Sequence, residues 1–180
     1  MPSAWELSPV PARSDPKRRL KGPALVGLIA LVVASVSPLT THFEGYSGRA
    51  YWDRYGKLWT QCFGETRDVR PDLIYSKTEC AAKLRARMAA DYAPVIVACV
   101  PDFANPLNKL AFGAALDASY NTGPDAFCKG RIARAFNAGL WAQGCSLFSG
   151  WYVTAKGVPL PGLTARRKAE RDYCLTGKLP

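Results

Sequence analysis

The sequence predicts an α+β fold, one small β-hairpin region followed by a larger helical region, with an apolar segment ahead of both. Three observations carry this. Residues 49–63 place β-favouring Tyr, Trp, Leu and Thr on both sides of Gly56, the pattern of a hairpin. From Ser76 onward, capping signals and four-residue apolar spacing recur to the end of the chain. Residues 22–43 contain no formal charge, and 24–40 read ALVGLIALVVASVSPLT. With 180 residues, 48% hydrophobic and 21% charged, the chain is long and apolar enough for one folded domain plus an appendage, and is not disordered.

Residues 1–22 are polar and end in a basic run, Lys17-Arg18-Arg19-Leu20-Lys21, which reads as a flexible cytosolic tail. The apolar stretch after it is at the short limit for a membrane-spanning helix. Its basic flank predicts the N-terminus in the cytosol and the remainder outside. Three readings compete: a cleaved signal peptide with Val32-x-Ala34 or Ser35-x-Ser37 as the cleavage site, a permanent anchor, and a weak anchor able to leave the membrane. A buried core helix of the soluble domain is the fourth possibility.

A short helix after Pro38 should end near Glu44, and the hairpin follows. Ser76-x-x-Glu79 is a capping box opening a helix whose apolar stripe is Cys80, Leu84, Met88 and Tyr92, extended by Val95 and Val97, with a kink at Pro94. Asn105-Pro106 caps the next helix, which runs to about Tyr120 and stops at Asn121-Thr122-Gly123-Pro124. Two shorter helices over 131–140 and 142–151, a loop over 157–162 and a basic helix over 163–175 complete the chain.

The charge is +10: five basic and two acidic residues lie in 1–40, and 19 against 12 in the rest. A basic surface suits an anionic polymer. No recognition-helix or zinc-finger pattern is present, so nucleic acid is not the expected partner. The six cysteines all follow the apolar segment, form no CxxC pair and are accompanied by a single histidine, which excludes a Cys/His zinc site and predicts disulfides in an oxidising compartment. Six cysteines allow many connectivities, and spacing does not choose among them.

Glu44 and Asp53 stand nine apart among Phe43, Tyr46, Tyr51, Trp52, Tyr55 and Trp59. An acid among apolar rings holds its proton, because desolvation disfavours the charged form, while one in a wetter turn stays ionised. Two carboxyls in opposed environments are what glycosidic bond cleavage requires. A solvated Glu at a helix end and an Asp in a turn would show the same spacing.

Several motifs fall in order: Glu44-Gly45, Tyr51-x-Asp53-x-x-Gly56, Trp59-Thr60-x-Cys62-x-Gly64-Glu65-Thr66, Lys77-Thr78-Glu79-Cys80, Ser119-Tyr120-Asn121-Thr122-Gly123, and Gly162-Leu163-Thr164-x-Arg166-Arg167-x-x-Glu170 with Cys174 beyond. Together they resemble the phage-type (T4-like) lysozymes, in particular the lambdoid-phage endolysins with a signal-arrest-release segment. The resemblance covers roughly residues 38–177. It implies a lysozyme-like fold with a small hairpin lobe and a larger helical lobe. It also implies hydrolysis of the β-1,4 bond between N-acetylmuramic acid and N-acetylglucosamine in peptidoglycan, without metal or cofactor. Glu44 is then the general acid, Asp53 handles the water or the positive charge on the sugar, and Thr60 holds the water. Arg166 falls where an arginine faces the glutamate; a solvated helix face is the other reading for Arg166 and Arg167.

One departure stands out. In relatives of this kind the usual step from the turn glycine to the threonine is three residues, and here the step from Gly56 to Thr60 is four. One extra residue flips strand parity unless the turn absorbs it, which is the expectation. The resemblance also makes Cys99–Cys128 the first expected pairing, since some relatives lack both equivalents, with Cys145–Cys174 and Cys62–Cys80 beside it. The organisation it implies is a basic cytosolic tail over 1–22, a releasable signal anchor over 23–40 in the host inner membrane, and a catalytic domain over 41–180 in the periplasm, monomeric once released. A lytic transglycosylase acting on the same bond, and a non-catalytic wall-binding protein of the same fold, are the alternatives.

Overall fold

In the computed structural model, residues 16–54, 56–155 and 157–180 are described. The flexible-tail reading of residues 1–15, and Tyr55 of the aromatic group, lie outside them. The elements are α1 (Gly22–Phe43), β1 (Ser47–Asp53), β2 (Leu58–Cys62), α2 (Lys77–Arg87), α3 (Ala93–Cys99), α4 (Lys109–Thr122), α5 (Pro124–Cys128), α6 (Arg131–Asn137), α7 (Trp141–Ser146), β3 (Thr154–Ala155), β4 (Val158–Pro159) and α8 (Pro161–Thr176).

The apolar segment is a single helix that passes through Pro38, not a span followed by a separate short helix. Pro38 cannot donate to the carbonyl of Ala34, and Ala34 is exposed, so water can serve that oxygen. Leu28, Ile29, Val32, Val33, Val36 and Leu39 recur at three- and four-residue steps and form a buried stripe. They pack against α4, whose residues 111–119 are all buried, so α1 belongs to the core of the helical lobe. The residues just before α1 are docked as well: Arg19 Nε donates to the Asp102 carboxylate at 2.8 Å, and the Leu20 N–H donates to the Ala104 carbonyl at 2.8 Å.

The α4 helix is also crossed closely by α8. A Cβ on Gly113 would sit 2.7 Å from the Tyr173 ring, so only glycine admits that approach. Beneath α4, Phe103 stacks on Phe112 and Phe127 and meets Phe136 and Trp141 at an angle. The Ser76–Glu79 capping box forms as the sequence implies. Ahead of Pro94 the helix widens into one π turn over Met88–Tyr92. The inserted residue rotates the stripe: Ala93, Ile96 and Val100 face inward, and Val95 turns to solvent, against expectation. Asn105 Oδ1 accepts the Leu107 N–H at 3.1 Å and starts a 3₁₀ turn, so α4 proper begins at Lys109. The expected 157–162 loop instead contains β4 and the first turn of α8, and α6 and α7 end earlier than the sequence suggests.

The hairpin pairs Tyr51 with Thr60, Trp52 with Trp59 and Asp53 with Leu58. Directly paired residues share a face, so Thr60 and Asp53 are diagonal neighbours on one side. The ladder is irregular between Ser47 and Tyr51. Gln61 fastens the hairpin to the following loop: its Nε2 donates to the Gly48 and Leu73 carbonyls, both at 3.0 Å, and its Oε1 accepts the Arg70 N–H at 3.2 Å. The cysteines pair as Cys62–Cys80, Cys99–Cys128 and Cys145–Cys174, the three pairings expected.

Candidate active site

Glu44 is the residue at which α1 stops. Its N–H still bonds the Thr40 carbonyl at 3.0 Å, while its own backbone is extended, so the side chain leaves the helix end between the two lobes. The side chain is 21% exposed. It lines a polar cavity of about 150 Å³ with Gly64, Glu65, Thr66, Arg87, Tyr92, Tyr120 and Asn121. It also lines a more open recess of about 360 Å³ with Phe43, Asn121, Leu160, Gly162 and Arg166. Glu44 and Asn121 line both, so the two recesses adjoin at Glu44.

Arg166 holds one oxygen of that carboxylate. Its Nη1 donates to Glu44 Oε1 at 2.6 Å. The rest of the fork is committed to Asp117, with Nε to Oδ2 and Nη2 to Oδ1 both at 3.0 Å. Arg166 and Asp117 are 3% and 0% exposed, and Arg167 is fully buried, so the solvated-face reading of both arginines is overturned. Burial works against the Arg166 charge, but Asp117 and Glu44 more than offset it and raise the guanidinium pKa. Arg167 pairs with Glu170 at 2.8 Å and donates to Asn121 Oδ1 at 2.8 Å, joining the end of α4 to α8. Glu170 is completely buried, and desolvation, then Asp117, push its carboxyl well above the ordinary range.

The second oxygen, Glu44 Oε2, faces the hairpin side: a Cβ on Gly64 would stand 3.5 Å from it. Gly64 has φ +79°, which a residue with a side chain adopts only with strain. The Phe63 carbonyl before it accepts the Tyr120 hydroxyl at 2.7 Å, fixing the strand exit against α4. Burial, then Glu44 and Glu65, raise the Tyr120 pKa, which keeps that hydroxyl a donor.

Asp53 and Thr60 share a hairpin face but line neither of the two recesses that Glu44 lines. The Asp53 carboxylate lies over the turn, with Oδ2 2.9 Å from where a Gly56 Cβ would stand. Thr60 is buried, and its Oγ1 has no hydrogen-bond partner among the described residues. Asp117 and Glu65 were not singled out from sequence. A charged residue inside the otherwise apolar run 111–118 is the signal for Asp117, since a buried charge requires a partner. Among the described residues no group of three or more His, Cys, Asp or Glu side chains is placed to hold a metal ion.

Comparison with known proteins matches residues 41–170 to the phage lysozyme family. The chain belongs to that family. Its relatives include the SAR-endolysin of Enterobacteria phage P21, 32% identical over 91% of this chain and 98% of that protein. The SAR-endolysin of Bacteriophage PS119 is 32% identical over 75% of this chain and 78% of its own length. Among solved structures, the active form of the P1 phage endolysin Lyz superposes with a TM-score of 0.66 at 25% identity, covering 85% of this chain and 94% of that one. The muramidase domain of SpmX from Asticaccaulis excentricus superposes at 0.69 and 23% identity over 79% of this chain and 95% of its own, a likeness of fold. The chain thus has a lysozyme-like fold, a helical majority with a small antiparallel hairpin, and its own apolar helix α1 precedes the hairpin.

Proposed function

We propose that this chain is an endolysin, a muramidase that hydrolyses the β-1,4 bond between N-acetylmuramic acid and N-acetylglucosamine in peptidoglycan and so lyses the host cell. The observation that carries this reading is the placement of Glu44 at a helix end where the two recesses adjoin, one oxygen clamped by Arg166 and the other facing the opposite wall. Protonated, Glu44 gives its proton to the leaving glycosidic oxygen. The carboxylate it leaves behind is stabilised by the waiting guanidinium, which Asp117 holds in position by two bonds. Asp53 then orients or deprotonates the incoming water, or offsets charge on the sugar ring, from the hairpin side. Thr60, on the same hairpin face as Asp53, holds that water in this reading. A water between the two carboxyls is the arrangement of an inverting hydrolase.

The reading extends to location. The α1 helix is 22 residues long and contains an 18-residue stretch with a mean hydropathy of 2.0, enough by length and composition to span a bilayer, and Lys17, Arg18, Arg19 and Lys21 precede it. The chain is tethered through residues 23–40 to the host inner membrane with its catalytic domain in the periplasm. After release the same apolar stripe that lipid would cover packs on α4 as in the folded domain described here. The released form acts as a monomer on glycan strands, without nucleic acid or cofactor.

Turbidity loss of permeabilised cells tests the chemistry. Glu44→Gln abolishes lysis with the melting curve unchanged; Asp53→Asn costs nearly as much, and Thr60→Ala less. A folded Glu44→Gln protein that still lyses cells defeats the assignment. New reducing ends, not anhydro-sugar ends, identify hydrolysis over transglycosylation.

A further inference from the structure

Glu65 lies outside the proposed Glu44–Asp53–Thr60 set and yet lines the same small cavity as Glu44. Its backbone is fixed by a two-way bridge to Gln61, N–H to carbonyl at 2.8 and 2.9 Å. Its Oε1 accepts the N–H groups of Thr66 and Arg67 at 2.9 and 2.8 Å, and Arg87 Nη1 stands 3.7 Å from the same oxygen. No hydrogen bond from the described residues reaches Oε2. The side chain is 16% exposed, so one oxygen is anchored and the other is left as an acceptor in a confined, polar place.

The supporting wall is rigid. Tyr120, on α4, bonds the Phe63 carbonyl two residues earlier, and Arg87 is itself held by Asp91, Nε to Oδ2 at 3.1 Å. Burial pushes the Glu65 carboxyl up, and Arg87 draws it back. A carboxylate partly stripped of water, with one lone-pair set unspent and a cation behind it, gains most from a neutral donor such as a sugar hydroxyl or acetamido N–H.

We propose that Glu65 is a substrate-binding residue, whose Oε2 accepts a hydrogen bond from a hydroxyl or acetamido N–H of the N-acetylated amino sugar beside the bond that is cleaved. This rests on the proposed muramidase reading. Arg87 favours the charged acceptor against the effect of burial, and the Thr66 and Arg67 N–H groups hold Oε1 in place.

Glu65→Gln in the full chain is the discriminating variant. The amide keeps an oxygen for the Thr66 and Arg67 N–H groups but replaces the second acceptor with a donor. The expected result is a KM raised about tenfold or more on soluble glycan strands, with kcat changed far less, and an unchanged melting curve. Unchanged KM, or a loss confined to kcat, overturns the proposal. Calorimetry with a tetrasaccharide of alternating N-acetylglucosamine and N-acetylmuramic acid adds a readout free of turnover. Glu44→Gln binds it, and the Glu44→Gln, Glu65→Gln double variant binds about tenfold or more weakly. Equal binding by the two overturns the role of Glu65 alone. Lysis by folded Glu44→Gln instead overturns the muramidase reading on which the proposal rests.

Discussion

Leu31→Lys separates the two environments proposed for α1. In the folded domain Leu31 is 55% exposed, while the adjoining Val32 is 0% exposed. A lysine at position 31 therefore reaches water, and a surface change of this kind alters folding stability by about 0.5 kcal/mol or less. Position 31 is also near the middle of the 22-residue helix, hence near the bilayer centre when the helix spans. There, exchanging leucine for lysine costs about 3–4 kcal/mol, or a factor of about 10²–10³ in membrane partitioning. Val32→Lys carries the same membrane cost and also buries an unpaired charge in the core, a loss of several kcal/mol. Flotation of cell membranes and thermal melting of the soluble protein check both. Leu31→Lys should leave the membrane fraction and melt like the parent, and Val32→Lys should leave it and fail to fold. If Leu31→Lys stays with the membrane as the parent does, or unfolds, the dual use of α1 is wrong.

Arg166→Ala strands Asp117 in the core without its counter-charge and should lower the unfolding free energy in urea by about 3–5 kcal/mol; a loss below about 1 kcal/mol would remove the clamp from the account of the fold. Glu170→Gln should change the pH dependence of stability. Because its folded-state pKa is raised, the wild-type carboxyl contributes stability below its ordinary value and loses it as pH rises through the folded value. Melting temperatures between pH 4 and 8 should move in favour of the glutamine variant as pH rises, and a constant difference would contradict the shift. Replacing Cys145 and Cys174 by serine opens a crosslink of sequence separation 29 between α7 and α8. The chain-entropy argument puts that at about 3.6 kcal/mol, read as a fall in urea midpoint, and an unmoved midpoint would mean the crosslink does not constrain the unfolded chain.

Local chemistry was readable ahead of the structure. The Ser76–Glu79 box and the Asn105 cap with Pro106 after it depend on residues within three positions of one another, the aromatic strands around Gly56 on pairs at most fifteen apart, and each forms where the sequence puts it. The observed register keeps Asp53 and Thr60 on one hairpin face, and a one-residue slip would turn the buried Thr60 outward. Misreadings occurred where a neighbour far along the chain decides. The break expected at Pro38 does not occur: α1 runs through it with its buried stripe packed against α4, α2 and α8. The apolar pattern continues the stripe to Val95, and the π turn before Pro94 moves that residue out.

Residue order alone shows a hairpin with two acids near it, an apolar stretch behind a basic flank, and the ordered motifs of a phage lysozyme. Only the tertiary structure decided that Arg166 divides its fork between Glu44 and an aspartate 49 positions away, and that Glu65 shares a cavity with Glu44. It also decided that the apolar span doubles as the core partner of α4. The physical reason is common to all three. Capping and turn preferences act over a few residues and are written into local sequence, whereas the partner of a buried charge or an apolar stripe is whichever side chain packing brings within reach.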